Sequence, residues 1–129
     1  PIVIDDYGHH PTEIKSTIKT IKKIYPNKKT IMIFQPHRFS RTKAYWISFV
    51  ETLKSLDHII LLPTYSAGER NNSYDSSFLY KEIKNKNKSM LKSIQNINKA
   101  LTSLDFTESI LILQGAGDVK KIINILDRK

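Results

Sequence analysis

The chain has 129 residues, a formal charge of +9 and no cysteine, which makes one domain's worth of sequence, long enough to bury a core without covalent staples. The missing thiols exclude a disulfide framework and a thiolate metal site, and they fit a reducing compartment. No apolar run approaches the ~18 residues of a membrane span and no signal-peptide pattern opens the chain, so the expectation is a soluble, cytoplasmic protein.

Pro1-Ile2-Val3-Ile4 reads as a strand already under way, with no initiator methionine, as expected of a piece of a longer protein. It runs into Asp5-Asp6-Tyr7-Gly8-His9-His10-Pro11, which gathers two carboxylates, a phenol, two imidazoles and a glycine. Pro11 suits the first position of a helix and Glu13 adds favourable charge to its first turn. Ile14, Ile18, Ile21 and Tyr25 recur at helical spacing, predicting an amphipathic helix over 12–24 that Pro26-Asn27 stops. Ile31-Met32-Ile33-Phe34 is a continuous apolar run, as for a strand covered on both faces. It ends in the polar loop Gln35-Pro36-His37-Arg38-Phe39-Ser40-Arg41-Thr42. Trp46, Phe49, Val50, Leu53 and Leu56 mark the inward side of a second helix, and Ile59-Ile60-Leu61-Leu62 a third buried strand. A third polar loop, Pro63-Thr64-Tyr65-Ser66-Ala67-Gly68-Glu69-Arg70, follows. Beyond it come a helix over 76–84, a weak edge strand near Met90 and a helix over 94–104. The run Ile110-Leu111-Ile112-Leu113 is another buried strand, followed by Gln114-Gly115-Ala116-Gly117-Asp118 and a last helix through Leu126.

Strand and helix alternate, which predicts an α/β fold, Rossmann-like, with a mostly parallel sheet and helices on both faces. Right-handed connections then bring every strand-end loop to one edge of the sheet, where α/β folds place their ligands.

At that edge, Asp5 and Asp6 could take a metal or a ribose hydroxyl pair, or one of them could merely cap the coming turn. The adjacent imidazoles of His9 and His10 point in different directions with no third ligand near, which argues against zinc and for a polar contact from His9 to a bound anion or amine. Arg38 and Arg41 are two of only four arginines in a chain that otherwise uses lysine. Flanking a helix start, their planar forks suit a carboxylate or phosphate. The lysines (Lys15, Lys19, Lys22, Lys23 among them) are dispersed as on a solvated surface, and a chain also rich in Ile and Asn owes much of its basicity to A/T-rich codons; no specific nucleic-acid partner is expected. Gly115-Ala116-Gly117 lacks the third glycine of a dinucleotide fingerprint, since position 120 is Lys, and no Gly-x-x-x-x-Gly-Lys-Ser/Thr loop is present.

Taken together, Asp5 to Glu13, Phe34 to Thr42, Tyr65-Ser66-Ala67-Gly68-Glu69 and Gln114-Gly115-Ala116-Gly117-Asp118, in this order and at these intervals, resemble the C-terminal domain of the ATP-dependent Mur ligases of peptidoglycan synthesis. Within that family the first two motifs resemble those of the UDP-N-acetylmuramate–L-alanine ligases. The resemblance spans residues 1–129 and implies that an N-terminal UDP-binding domain and a central ATP-binding domain lie outside this chain. It implies a domain that binds the amino acid and closes over ATP, active only within the full enzyme, in which L-alanine displaces phosphate from an acyl phosphate of UDP-N-acetylmuramate. Carried over motif by motif, Asp6 and Tyr7 would lie near the nucleotide, and His9, His37, Arg38 and Arg41 would line the L-alanine and acyl-phosphate side. ATP and Mg2+ would be held mainly by the central domain, with no metal site here, no specific nucleic acid and no membrane partner. The alternatives are a non-catalytic remnant and a small Rossmann-type nucleotide-binding module.

Overall fold

The computed structural model describes residues 2–104, 108–115 and 117–126. Five strands form one sheet: β1 (Ile2–Asp6), β2 (Lys29–Phe34), β3 (His58–Leu61), β4 (Lys88–Met90) and β5 (Ser109–Gln114). Their order is β1-β5-β2-β3-β4 and every pair is parallel. The helices are α1 (Pro11–Ile24), α2 (Phe39–Ala44), α3 (Trp46–Leu53), α4 (Ser76–Glu82), α5 (Ile97–Thr102) and α6 (Ile122–Leu126). A 3-10 turn leads into each of the last two, over Ile94–Asn96 and Asp118–Lys121.

Side-chain alternation along the central strands divides the core into two layers. Met32 and Phe34, Ile59 and Leu61, Ile110 and Ile112 face α1, α3 and α4, where Ile14, Ile18, Phe49, Leu53 and Leu79 meet them. Ile31 and Ile33, Ile60 and Leu62, Leu111 and Leu113 face the other way, onto Ile97, Leu101, Val119 and Ile122 of the last two helices and their 3-10 turns. Both faces are therefore covered, which is why these strands read as unbroken apolar runs. Full burial of one such Ile or Leu contributes about 1.5–3 kcal/mol before conformational entropy is counted.

The helix expected around Trp46 is two helices. Tyr45 leaves helical geometry at φ −117°, ψ 30°, and its ring lies against His10 with centroids 4.3 Å apart. The segment expected as one helix over 94–104 opens as the 3-10 turn and continues as α5, and the weak strand near Met90 is β4 at the sheet edge. The start of the first strand at Pro1 and the middle of the glycine turn at Ala116 lie outside the described residues.

Register decides where the loops emerge. Asp6 pairs with Gln114, Gln114 with Phe34, Phe34 with Leu61, and Leu61 with Met90. All five strands therefore finish in one row, and the segments after them leave the sheet at one height.

Candidate functional site

The turn after β1 is built by its own side chains. Asp6 accepts the Gly8 N–H at 3.0 Å through Oδ1 and the Thr17 hydroxyl of α1 through Oδ2, so its carboxylate closes the turn. The helix cap is His10: its Nδ1 accepts the Thr12 N–H at 3.1 Å, while Glu13 reaches back to the His10 N–H at 3.1 Å, a reciprocal capping box. That division turns the two neighbouring imidazoles apart, one to α1 and one to the sheet edge. Tyr7 stands half exposed on the rim with Lys120 Nζ 4.3 Å from its ring centroid.

The loops after β2 and β3 continue the ladder of the strands beneath them. Tyr65 N–H donates to Pro36 O and Arg38 N–H to Tyr65 O, each at 2.8 Å. This zipper sets His37 beside Tyr65, and the turn after β1 delivers His9 to the same place. The His9 and His37 rings stack at 5.0 Å with 19° between planes, and His37 and Tyr65 at 5.3 Å with 15°. Arg41, in the first turn of α2, sends Nη1 back to His37, 3.1 Å from Nδ1 and 3.2 Å from the carbonyl oxygen. Arg38 is exposed at the start of α2 with φ 71°, ψ 137°, a conformation that costs a non-glycine residue about 1–3 kcal/mol and is found where surrounding contacts impose it. Here the Tyr65 carbonyl on its N–H and the Thr42 hydroxyl and N–H on its carbonyl, at 3.0 and 3.4 Å, impose it.

Glu69 completes the arrangement from the loop after β3. Its two oxygens accept the Ser40 N–H at 3.0 Å and the Ser40 hydroxyl at 2.5 Å, capping α2. The Ser40 hydroxyl, then its N–H, hold the Glu69 carboxyl below its ordinary 4.5. His37 titrates below its ordinary 6.5: burial disfavours the charged ring, the neighbouring His9, Arg41 and Arg38 add to this, and Glu69 opposes it.

The expected site residues thus fall into groups. His9, His37 and Arg41 meet in one cluster with Arg38 beside it, and Tyr7 lies on the same edge. Asp6 is on that edge too, but each of its oxygens already serves the turn. Sequence reasoning gave no role to the two buried glutamines. Gln35 donates to Pro63 O at 3.2 Å and accepts the Val119 N–H at 3.0 Å, while Gln114 donates to Gly8 O at 2.6 Å. These two side chains tie four strand-end segments together. The signal lay in the pattern: each is an amide directly after a buried apolar run, where the chain is still inside the sheet. Tyr65 and Glu69 were quoted only as parts of a motif, and their partners are 28 and 29 residues away.

A cleft of ≈510 Å3 opens beside the cluster, with Gln35, Thr64, Tyr65, Lys92, Asp118 and Lys121 among its walls. Chemically, the edge offers an exposed guanidinium, a neutral imidazole and a phenol ring, suited to a carboxylate or phosphoryl group beside an uncharged polar one. Among the described residues, no three His, Cys, Asp or Glu side chains come together as metal ligands.

The family described as Mur ligase, glutamate ligase domain, matches residues 1–117. The UDP-N-acetylmuramate–L-alanine ligase of Buchnera aphidicola subsp. Acyrthosiphon pisum is 45% identical over 125 residues, covering 94% of this chain and 26% of that protein. Its counterpart from Wigglesworthia glossinidia brevipalpis is 42% identical over 132 residues, covering 98% of this chain and 28% of that protein. The chain spans about a quarter of the length of these relatives. Among solved structures, a UDP-N-acetylmuramate–alanine ligase from Thermotoga maritima superposes with a TM-score of 0.69 at 23% identity, over 98% of this chain and 26% of that one. A murein peptide ligase from Psychrobacter arcticus gives 0.70 at 18%, over 98% and 26%. The parallel five-stranded sheet is the fold of these C-terminal domains, and this chain belongs to the Mur ligase C-terminal, glutamate ligase domain family.

Proposed function

We propose that this chain is the C-terminal domain, residues 1–129, of an ATP-dependent ligase that joins L-alanine to UDP-N-acetylmuramic acid, working in the cytoplasm on a peptidoglycan precursor. The observation that carries this reading is the meeting of His9, His37 and Arg41 with Arg38 on the strand-end edge, in a chain 45% identical to such ligases. Arg38 would hold the amino acid's carboxylate, with the remaining N–H groups of Arg41 adding positive charge nearby. Fixing the carboxylate leaves the amine as the free end, aimed at the acyl carbon of the activated sugar; holding the partners in this way replaces a bimolecular encounter. In the step itself a C–N bond forms, the C–O bond to phosphate breaks, the amine nitrogen gives up a proton to the departing phosphate or to solvent, and phosphate leaves as an anion on the positively charged side. Closure of the domain over ATP would exclude water from the acyl phosphate.

ATP and UDP-N-acetylmuramate are substrates in this reading. The ring of Tyr7 offers a stacking surface to adenine, and Asp6 supports the turn that carries it. With no Gly-x-x-x-x-Gly-Lys-Ser/Thr loop in the sequence and no cluster of three ligands among the described residues, the phosphates and Mg2+ would be held by the central domain of the full enzyme.

The test is Arg38→Ala in the full-length protein. A loss of at least about tenfold in kcat/KM for L-alanine is expected, the scale of one charge-assisted contact. An unchanged value takes Arg38 out of the amino-acid site.

A further inference from the structure

We propose that Arg41 is a positioning residue: it fixes His37 as a neutral imidazole with its proton on Nε2. His37 then serves the reaction as a hydrogen-bond donor, not as the base that takes a proton from the amine. The donor role deepens the ligase reading and rests on it; the tautomer rests on this chain's geometry alone.

A guanidinium has donors and no acceptor. Arg41 Nη1 carries two N–H groups, and it has two neighbours on His37: the carbonyl oxygen at 3.2 Å and ring Nδ1 at 3.1 Å. A proton on Nδ1 would set two N–H groups against each other at that distance. Nδ1 is therefore the lone-pair nitrogen, and the single proton of the neutral ring sits on Nε2. Taking up a second proton is opposed by burial and by His9, Arg41 and Arg38, and favoured by Glu69.

The ring plane is fixed too. His37 packs against His9 and Tyr65, and Tyr65 is pinned through its own backbone to Pro36 and Arg38. With Nδ1 occupied, Nε2–H is the ring's remaining hydrogen-bonding group, and it has no partner among the described residues. A donor at a fixed position suits an oxygen on which negative charge grows, such as the acyl oxygen when the amine adds. A base needs a free lone pair, and the one that His37 has is turned toward Arg41.

Two measurements test this. Long-range 1H–15N spectra of the chain in mildly alkaline buffer, with His37 assigned by its loss in His37→Gln, are expected to show a bare Nδ1 and a protonated Nε2. A proton on Nδ1, or a doubly protonated ring, overturns the tautomer. In Arg41→Ala the two tautomers are expected to mix; an unchanged Nε2–H form overturns the part given to Arg41. In the full-length protein, His37→Gln places an amide N–H near the position of Nε2, whereas His37→Asn places one near Nδ1. The Gln variant is expected to keep kcat within about tenfold, with its pH profile unchanged, and the Asn variant to lose about 100-fold or more. Equal losses overturn the donor role. A wild-type full-length protein that adds no alanine overturns the ligase reading and the donor role together, while the spectra still decide what Arg41 does.

Discussion

Gly115 and Gly117 show how few atoms set the geometry of the edge. Gly115 has φ 117°, and a Cβ placed on it would lie 2.7 Å from the carbonyl oxygen of Gln35, a backbone atom in the central row of the sheet. Neither can yield, so Gly115→Ala should cost about 2–4 kcal/mol, from backbone strain plus the clash, as a shift in chemical denaturation midpoint. At Gly117, with φ 99°, the added atom would meet the Tyr65 ring at 2.9 Å. Relief there requires the ring to shift, so Gly117→Ala is expected to disturb the imidazole stack as well as stability. The same scale separates what was legible from what was not. The motif residues announced a polar edge, and four of them, His9, His37, Arg38 and Arg41, lie together. That Asp6 would spend both oxygens on Gly8 and Thr17 depended on a hydroxyl eleven residues away, and nothing in the residue type distinguishes a carboxylate that binds from one that braces.

At the scale of elements, the buried strands were readable because covering both faces removes polar residues from the run, and α1 because its periodicity and Pro11 agree. The break at Tyr45 was not readable: the chain before and after it has helical character, and the ring that Tyr45 meets there, His10, lies in a turn distant in sequence. Strand order was equally hidden, since periodicity tells a strand's faces but not its neighbours. The short α2 depends on help from outside. Six residues are far below the ~12–15 at which an isolated helix begins to hold, and Glu69 supplies its missing N-terminal partner. Glu69→Ala should therefore speed amide hydrogen exchange across Phe39–Ala44 and, through Arg41, loosen His37. Unchanged protection there would show that Phe39 and Thr42, buried beneath the helix, suffice alone.

For the whole molecule, two histidines link folding to pH. His37 and His58 both titrate below their ordinary 6.5 in the folded chain, each first because burial disfavours its charged form. Between the folded values and 6.5 the unfolded chain binds more protons than the folded one, so stability is complete above 6.5 and is lost as pH falls through the folded values. The melting temperature is expected to drop as the pH falls below 6.5, and a His37→Gln, His58→Gln double variant to flatten the slope. An equal slope in wild type and variant would assign the effect to carboxylates instead.

The placement of β5 has a further consequence. Of the five described strands, the last to be synthesised lies between the first two, pairing Ile2–Asp6 on one side and Lys29–Phe34 on the other. Until residues 109–114 are made, β1 has no neighbour, and the sheet that positions the site is in two parts. Synthesis from the N-terminus therefore cannot assemble this domain strand by strand. A nascent chain must carry β1 and the turn after it without a neighbouring strand until residues 109–114 have emerged, a period in which a chaperone, or the domains that precede it in the proposed enzyme, would be its cover.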